Sequence, residues 1–142
     1  MAEIIDQIPG YEKGAVQYVN TTDEVSALFL SAQMVSDILS KWNTNVAFFS
    51  LTSRCEALLG LVKNESPVAR IYPVNQKNPN RMVILRKAQG MVNRKFIRVI
   101  FIEGLPNQDA VGKRWLEQLA KSTNTSIVVV EVHGDEEELS LE

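Results

Sequence analysis

Three short stretches of the chain are apolar almost from end to end: VAFFSL at 46–51, FIRVIFI at 96–102 and IVVVEV at 127–132. A strand with one wet face alternates polar and apolar residues, because successive side chains point to opposite sides. A strand without that alternation is buried on both faces, as in a parallel sheet covered by helices above and below. The intervening stretches fit this demand. Segment 22–42 repeats its apolar residues Val25, Leu28, Phe29, Ala32, Val35, Ile38 and Leu39 with the helical period. Thr21 or Thr22 suits its N-cap, Asp23 and Glu24 suit its first turn, and NTN at 43–45 ends it. Further helices are predicted over 53–64, 79–93 and 107–122, the third with Asn78 as cap and Pro79 as first helical residue. GAVQYV at 14–19 reads as a first strand, and VARIYPV at 68–74 as a strand whose Pro73 belongs at an edge or an end.

Five strands and four helices in alternation predict an α/β fold: a doubly wound, mainly parallel five-stranded sheet with helices on both faces. Residues 1–134 read as one domain and 135–142 as an acidic, flexible tail containing Asp135, Glu136, Glu137 and Glu138. At 142 residues and 45% hydrophobic content, such a domain fills its own core without a disulfide or metal staple. The single cysteine, Cys55, excludes an intramolecular disulfide. One histidine and one cysteine are too few for a structural zinc site, and no metal or other cofactor is expected. The start of the chain has no signal-peptide pattern, and no apolar run reaches the ~20 residues of a membrane helix. A cytoplasmic protein without membrane contact is expected.

The net charge of −2 is unevenly spread. Between residues 66 and 102 there is no acid, but Arg70, Lys77, Arg81, Arg86, Lys87, Arg94, Lys95 and Arg98 fall there. Arg81, Arg86, Lys87 and Arg94 lie on the third helix, opposite a stripe of Met82, Leu85, Gln89 and Val92, and so face outward. Such a face is either a solvated one or a contact for phosphates or an acidic partner. Tyr72 and Phe96 are the only aromatics near it for base stacking, and Phe96 is expected in the core.

The order of these segments resembles the motor domain of DnaB-type replicative helicases, a branch of the RecA-like ATPases. GYEKG followed by AVQYV at 10–19 resembles the turn into that family's first strand. NVAFFSL at 45–51 resembles its second strand, RVIFIEGL at 98–105 its Walker B strand, and the helix from Asp109 with its following strand the segment after it. The resemblance spans nearly the whole chain and implies a RecA-like, P-loop NTPase-like three-layer sandwich.

It fails where the chemistry would be. A phosphate loop uses glycines to let N–H groups converge on phosphates, a Lys to reach the terminal ones and a hydroxyl for Mg²⁺. The matching junction here is Asn20, Thr21, Thr22 and Asp23, followed by Glu24, with no glycine and no lysine. Two like charges ~5 Å apart repel by about 3 kcal/mol at an effective dielectric near 20, so Asp23 and Glu24 oppose a polyphosphate. Thr52 stands where the resemblance places a catalytic glutamate, and Glu103 where it places the Walker B aspartate. The resemblance therefore implies a domain without catalytic residues, acting by self-association or on a RecA-like or helicase partner in DNA replication or recombination.

Two other readings stand beside it. One is nucleic-acid binding through segment 66–102. The other is residual nucleotide binding or a small-ligand enzyme at the strand-end edge, where His133 and Glu103 could share acid–base work, although a lone loop histidine is the simpler reading. Cys55 reads as a small buried residue rather than an activated thiol, and Ser50, Thr52 and Ser53 lack a nucleophile-elbow pattern.

Overall fold

A computed structural model describes residues 8, 10–76, 80–105 and 110–132. Its elements alternate as expected: β1 (Val16–Thr21), α1 (Glu24–Trp42), β2 (Asn45–Ser50), α2 (Cys55–Leu61), β3 (Ile71–Asn75), α3 (Arg81–Lys95), β4 (Ile97–Glu103), α4 (Ala110–Thr123) and β5 (Ser126–Val132). The strands form one sheet in the order β1-β5-β4-β2-β3, and every neighbouring pair is parallel.

That order decides where the helices go. The connections β1→β2 and β2→β3 cross the sheet in one direction, and β3→β4 and β4→β5 return in the other. Right-handed crossovers are the rule for parallel units, so reversing the direction moves the connecting helix to the opposite face. The packing agrees. Ala32, Val35, Ile38 and Leu39 of α1 and Leu58 of α2 pack with Phe48, Phe101 and Val128. Ile84 and Ala88 of α3 and Leu116 and Leu119 of α4 pack with Phe49, Ile100, Ile102 and Val129. The result is the three-layer α/β sandwich of RecA-like and Rossmann-like proteins. Phe48 and Phe101 stack across β2 and β4 with ring centroids 5.9 Å apart. A register shift between Asn45 and Val46 pairs them with Ile97 and Val99, so Arg98 drops out of the ladder and an arginine is accommodated inside the apolar run.

Several local expectations are corrected. The N-cap of α1 is Asp23, not Thr21 or Thr22: Asp23 Oδ1 accepts from the Ser26 N–H at 2.7 Å and Oδ2 from the Ser26 hydroxyl at 2.9 Å. Each of the two carboxylate oxygens takes one of these donors, whereas a threonine offers a single oxygen. Thr21 is the last residue of β1. The buried stripe of α1 is Ala27, Ser31, Ala32, Val35, Ile38 and Leu39. Val25 and Phe29 are 63% and 57% exposed, because the small residues set the helix close to the sheet and turn the larger ones aside.

Ser53 has a left-handed backbone (φ 59°), so α2 starts at Cys55 rather than 53, and extended Val62 ends it early. The third strand starts at Ile71, leaving Val68 exposed, and Pro73 does lie on an edge strand. The cap of α3 is Asn80, whose Oδ1 accepts from the N–H groups of Met82 and Val83 at 2.9 and 3.3 Å; Asn78 and Pro79 lie outside the described residues. The inward face of α3 is Ile84 and Ala88, and Met82 is exposed. Phe96 is not core. It ends α3 in the left-handed region (φ 54°) and is 78% exposed, and β4 starts one residue later.

Candidate functional site

The exits of β2 and β4, adjacent in the sheet, diverge: one leads to α2 on the first face and the other toward α4 on the second. Such a divergence opens a crevice at the carboxyl edge, the usual ligand position in open α/β sheets. Ser50, the last residue of β2, pairs in register with Glu103, the last of β4. Both are buried polar residues, Glu103 only 7% exposed.

Glu103 is surrounded by donors. Ser50 Oγ donates to Oε2 at 2.8 Å, and Thr52 Oγ1 lies 2.7 Å from both carboxylate oxygens. Arg54 closes the cluster. Its N–H donates to Ser50 Oγ at 2.9 Å, and its Nε sits 2.9 Å from Thr52 Oγ1 and 3.3 Å from Glu103 Oε1. Its Nη2 pairs with Glu24 Oε2 in the first turn of α1. One guanidinium therefore bridges two carboxylates from different elements, across the mouth of the crevice. Gly104 holds the turn that presents Glu103. Its φ is +93°, and a Cβ there would lie 2.8 Å from Thr52 Cγ2. No side chain fits, on conformational and steric grounds together.

The junction that the resemblance equates with a phosphate loop is also occupied from within. Asn20 and Thr21 end β1 at the sheet edge, separated from β4 by β5. Thr22 and Asp23 form the turn into α1, and one of the N–H groups left free by the helix itself is already bonded: that of Ser26 donates to the Asp23 carboxylate. An anion site at a helix start needs those groups free. The Ser26 N–H is the largest cause holding the Asp23 carboxyl below its usual range, so it stays charged.

Cys55 is buried beneath this edge, with Sγ 3.8 Å from the Phe48 carbonyl oxygen. Burial pushes its thiol up, and the charge of Glu103 adds to the effect, so the reactive thiolate is suppressed. His133 lies outside the described residues, so its pairing with Glu103 has no geometry here. Among the described residues, no group of three or more His, Cys, Asp or Glu could hold a metal ion, and no helix is long and apolar enough to cross a membrane.

The basic residues separate into two places. Arg81 sits over the Trp115 ring, 5.8 Å from its centroid. Arg86, Lys87 and Arg94 line one groove beside β3, joined by Lys95, which the sequence places in the acid-free segment but not among the named contact residues. All four groove cations are exposed, as the outward-facing expectation had it.

Sequence reading found Glu103 and Thr52 but missed Arg54 as their partner and Glu24 as the second acid on its guanidinium. The signal was present in SLTSR at 50–54, where Ser50, Thr52 and Arg54 follow an apolar strand at a spacing of two. No protein-family model matches the chain, and a comparison with curated proteins finds no match.

Proposed function

We propose that the chain is a non-catalytic RecA-like domain that acts by binding, through self-association or by engaging a RecA-like partner such as a helicase. The observation that carries this reading is the Glu24–Arg54–Glu103 bridge. Phosphoryl transfer needs a cradle for the phosphates and a metal held at the strand edge. Here the carboxylate in the Walker B position already holds a guanidinium and two hydroxyls, and the helix that would receive phosphate is capped by its own aspartate. A metal would have to displace an intramolecular cation, and a polyphosphate would meet Asp23 and Glu24.

Val25 and Phe29 suggest what the edge does instead. They are exposed on α1, one residue and just over one turn beyond Glu24. Proteins of the resembling family assemble by packing the nucleotide edge of one subunit against its neighbour. An apolar patch beside a closed crevice fits a contact of that kind.

The test is multi-angle light scattering across a concentration series, with the double variant Val25→Glu/Phe29→Glu. The wild type is expected to associate, and the variant to remain monomeric with an unchanged Tm. Burying a phenylalanine is worth roughly 1.5–3 kcal/mol, so association should weaken at least tenfold. Equal association by both proteins would remove the patch from the account. If neither associates, a partner protein is the remaining form of the proposal, tested by co-purification with a replicative helicase.

A further inference from the structure

The α3–β3 groove lies on the other face of the sheet from α1 and α2. It has a volume of about 490 Å³, and its described lining is Val74, Arg86, Lys87, Gly90, Met91, Arg94 and Lys95. Four of these seven residues are cations and none is an anion. On α3 they form two parallel rows at helical spacing, 86–90–94 and 87–91–95. At 1.5 Å per residue, the backbone positions that end each row are about 12 Å apart along the helix.

The lysines are tied to the walls. Lys87 Nζ donates to Oε1 of the buried Gln76, and Lys95 Nζ lies 5.6 Å from the Tyr72 ring centroid. Arg86 and Arg94 form no ion pair among the described residues, and the sequence offers no acid from 66 to 102 to neutralise them. Between them stands Gly90, a poor choice inside a helix. Packing does not require it: a Cβ there would meet only Arg94 Nη2, at an ordinary 3.6 Å. Its effect is to leave room for the Arg94 guanidinium, which lies over it.

Like charges gathered without partners work against folding, and their use is to attract an anion. The edge strand beside the groove indicates which kind. The Val46 N–H donates to the Arg70 carbonyl and the Gln76 N–H to the Ser50 carbonyl, so the even-numbered residues of this stretch bond to β2. Residue 73 therefore faces outward, and it is a proline with no N–H to give. An acidic peptide adding to the sheet as a strand would lose a main-chain bond there. A polyanion that needs no main-chain bonding has no such handicap.

We propose that this groove binds the phosphate backbone of single-stranded nucleic acid, without base-sequence preference. Arg86 and Lys87 at one end and Arg94 and Lys95 at the other can hold separate phosphates of one strand, and Met91 and Val74 supply apolar surface beside them for sugars and bases. Contacts of this type are steep in salt. Two phosphates on a single strand give a log–log slope of about −1.4, or roughly sevenfold weaker binding between 50 and 200 mM salt.

The experiment is fluorescence anisotropy with a labelled 20-nucleotide oligothymidine and the full chain. Binding with that slope is expected. Arg86→Gln/Arg94→Gln should lose at least tenfold. Gly90→Leu keeps every charge and favours the helix, and it should lose at least fivefold by pushing the Arg94 guanidinium out of place; circular dichroism checks that both variants fold. Absence of binding at 50 mM salt overturns the proposal. So does wild-type binding by Gly90→Leu, which would move the contact elsewhere. Equal or tighter binding to a duplex of the same length would reassign the groove to double-stranded DNA, and equal binding to polyglutamate would reassign it to an acidic protein.

Discussion

Glu103→Ala is expected to lower the stability of the domain by about 3 kcal/mol. The substitution removes the acceptor shared by Ser50, Thr52 and Arg54. Ser50 is fully buried, so its hydroxyl loses its carboxylate partner away from water, which costs roughly 1–3 kcal/mol. Arg54 is left with Glu24 as its carboxylate partner and Thr52 Oγ1 as its hydroxyl partner. Removing one member of a buried ion pair typically costs 3–5 kcal/mol, and the partial exposure of Arg54 puts this case at the lower end. A double-mutant cycle with Arg54→Ala makes the expectation specific. Because the two side chains touch, the double variant should be more stable than the sum of the single losses predicts, by about 1 kcal/mol. Strict additivity in urea unfolding would mean that the bridge contributes nothing and that Glu103 matters only through its hydroxyl partners.

Phe101→Ala is expected to cost more, about 3–5 kcal/mol. Phe101 sits in the central strand, is fully buried, and stacks on Phe48. The surrounding core comes from β2, β4, β5, α1 and α2, whose backbones are fixed by the sheet or by neighbouring helices and cannot collapse into the space. For a domain near 150 residues, each kcal/mol moves the midpoint by about 3–4 °C, so Tm should fall by more than 10 °C. A fall under 3 °C would contradict the packing described. The two losses differ in kind: the first removes polar bonds at the edge of the crevice, and the second opens a cavity at its base.

Much of the fold was legible because double burial leaves a plain mark. VAFFSL and IVVVEV have no polar face, and only a covered sheet accommodates such strands. The edge position of β3 could be read from Pro73. Caps were less legible, since adjacent candidates compete for the same N–H groups. Asp23 prevailed over Thr22 by having two oxygens, and Asn80 over Asn78 by standing next to the helix. Phe96 was misread because an aromatic at the head of an apolar run resembles the run's first residue, whereas the left-handed cap turns it outward.

At the crevice, Glu103 was expected at the strand-end edge, and the resemblance pointed to Glu103 and Thr52 as the matching site positions. It could not join Arg54 to Glu24, because that pairing depends on α1 and the β2–α2 turn meeting at the same sheet edge. The groove was half legible. Arg86, Lys87 and Arg94 were visible as a basic face, but their assembly with Lys95, Gly90 and β3 required the packing of α3 on the sheet.

The central claim is that the carboxyl edge is closed by the chain's own charges and does not take a nucleotide. Isothermal titration calorimetry of the purified chain with ATP and ADP, with and without Mg²⁺, tests it most directly. No saturable heat is expected up to millimolar nucleotide. Micromolar binding that depends on Mg²⁺ and is lost in Glu103→Gln would contradict it, and would make the Glu24–Arg54–Glu103 bridge a latch that opens for the ligand.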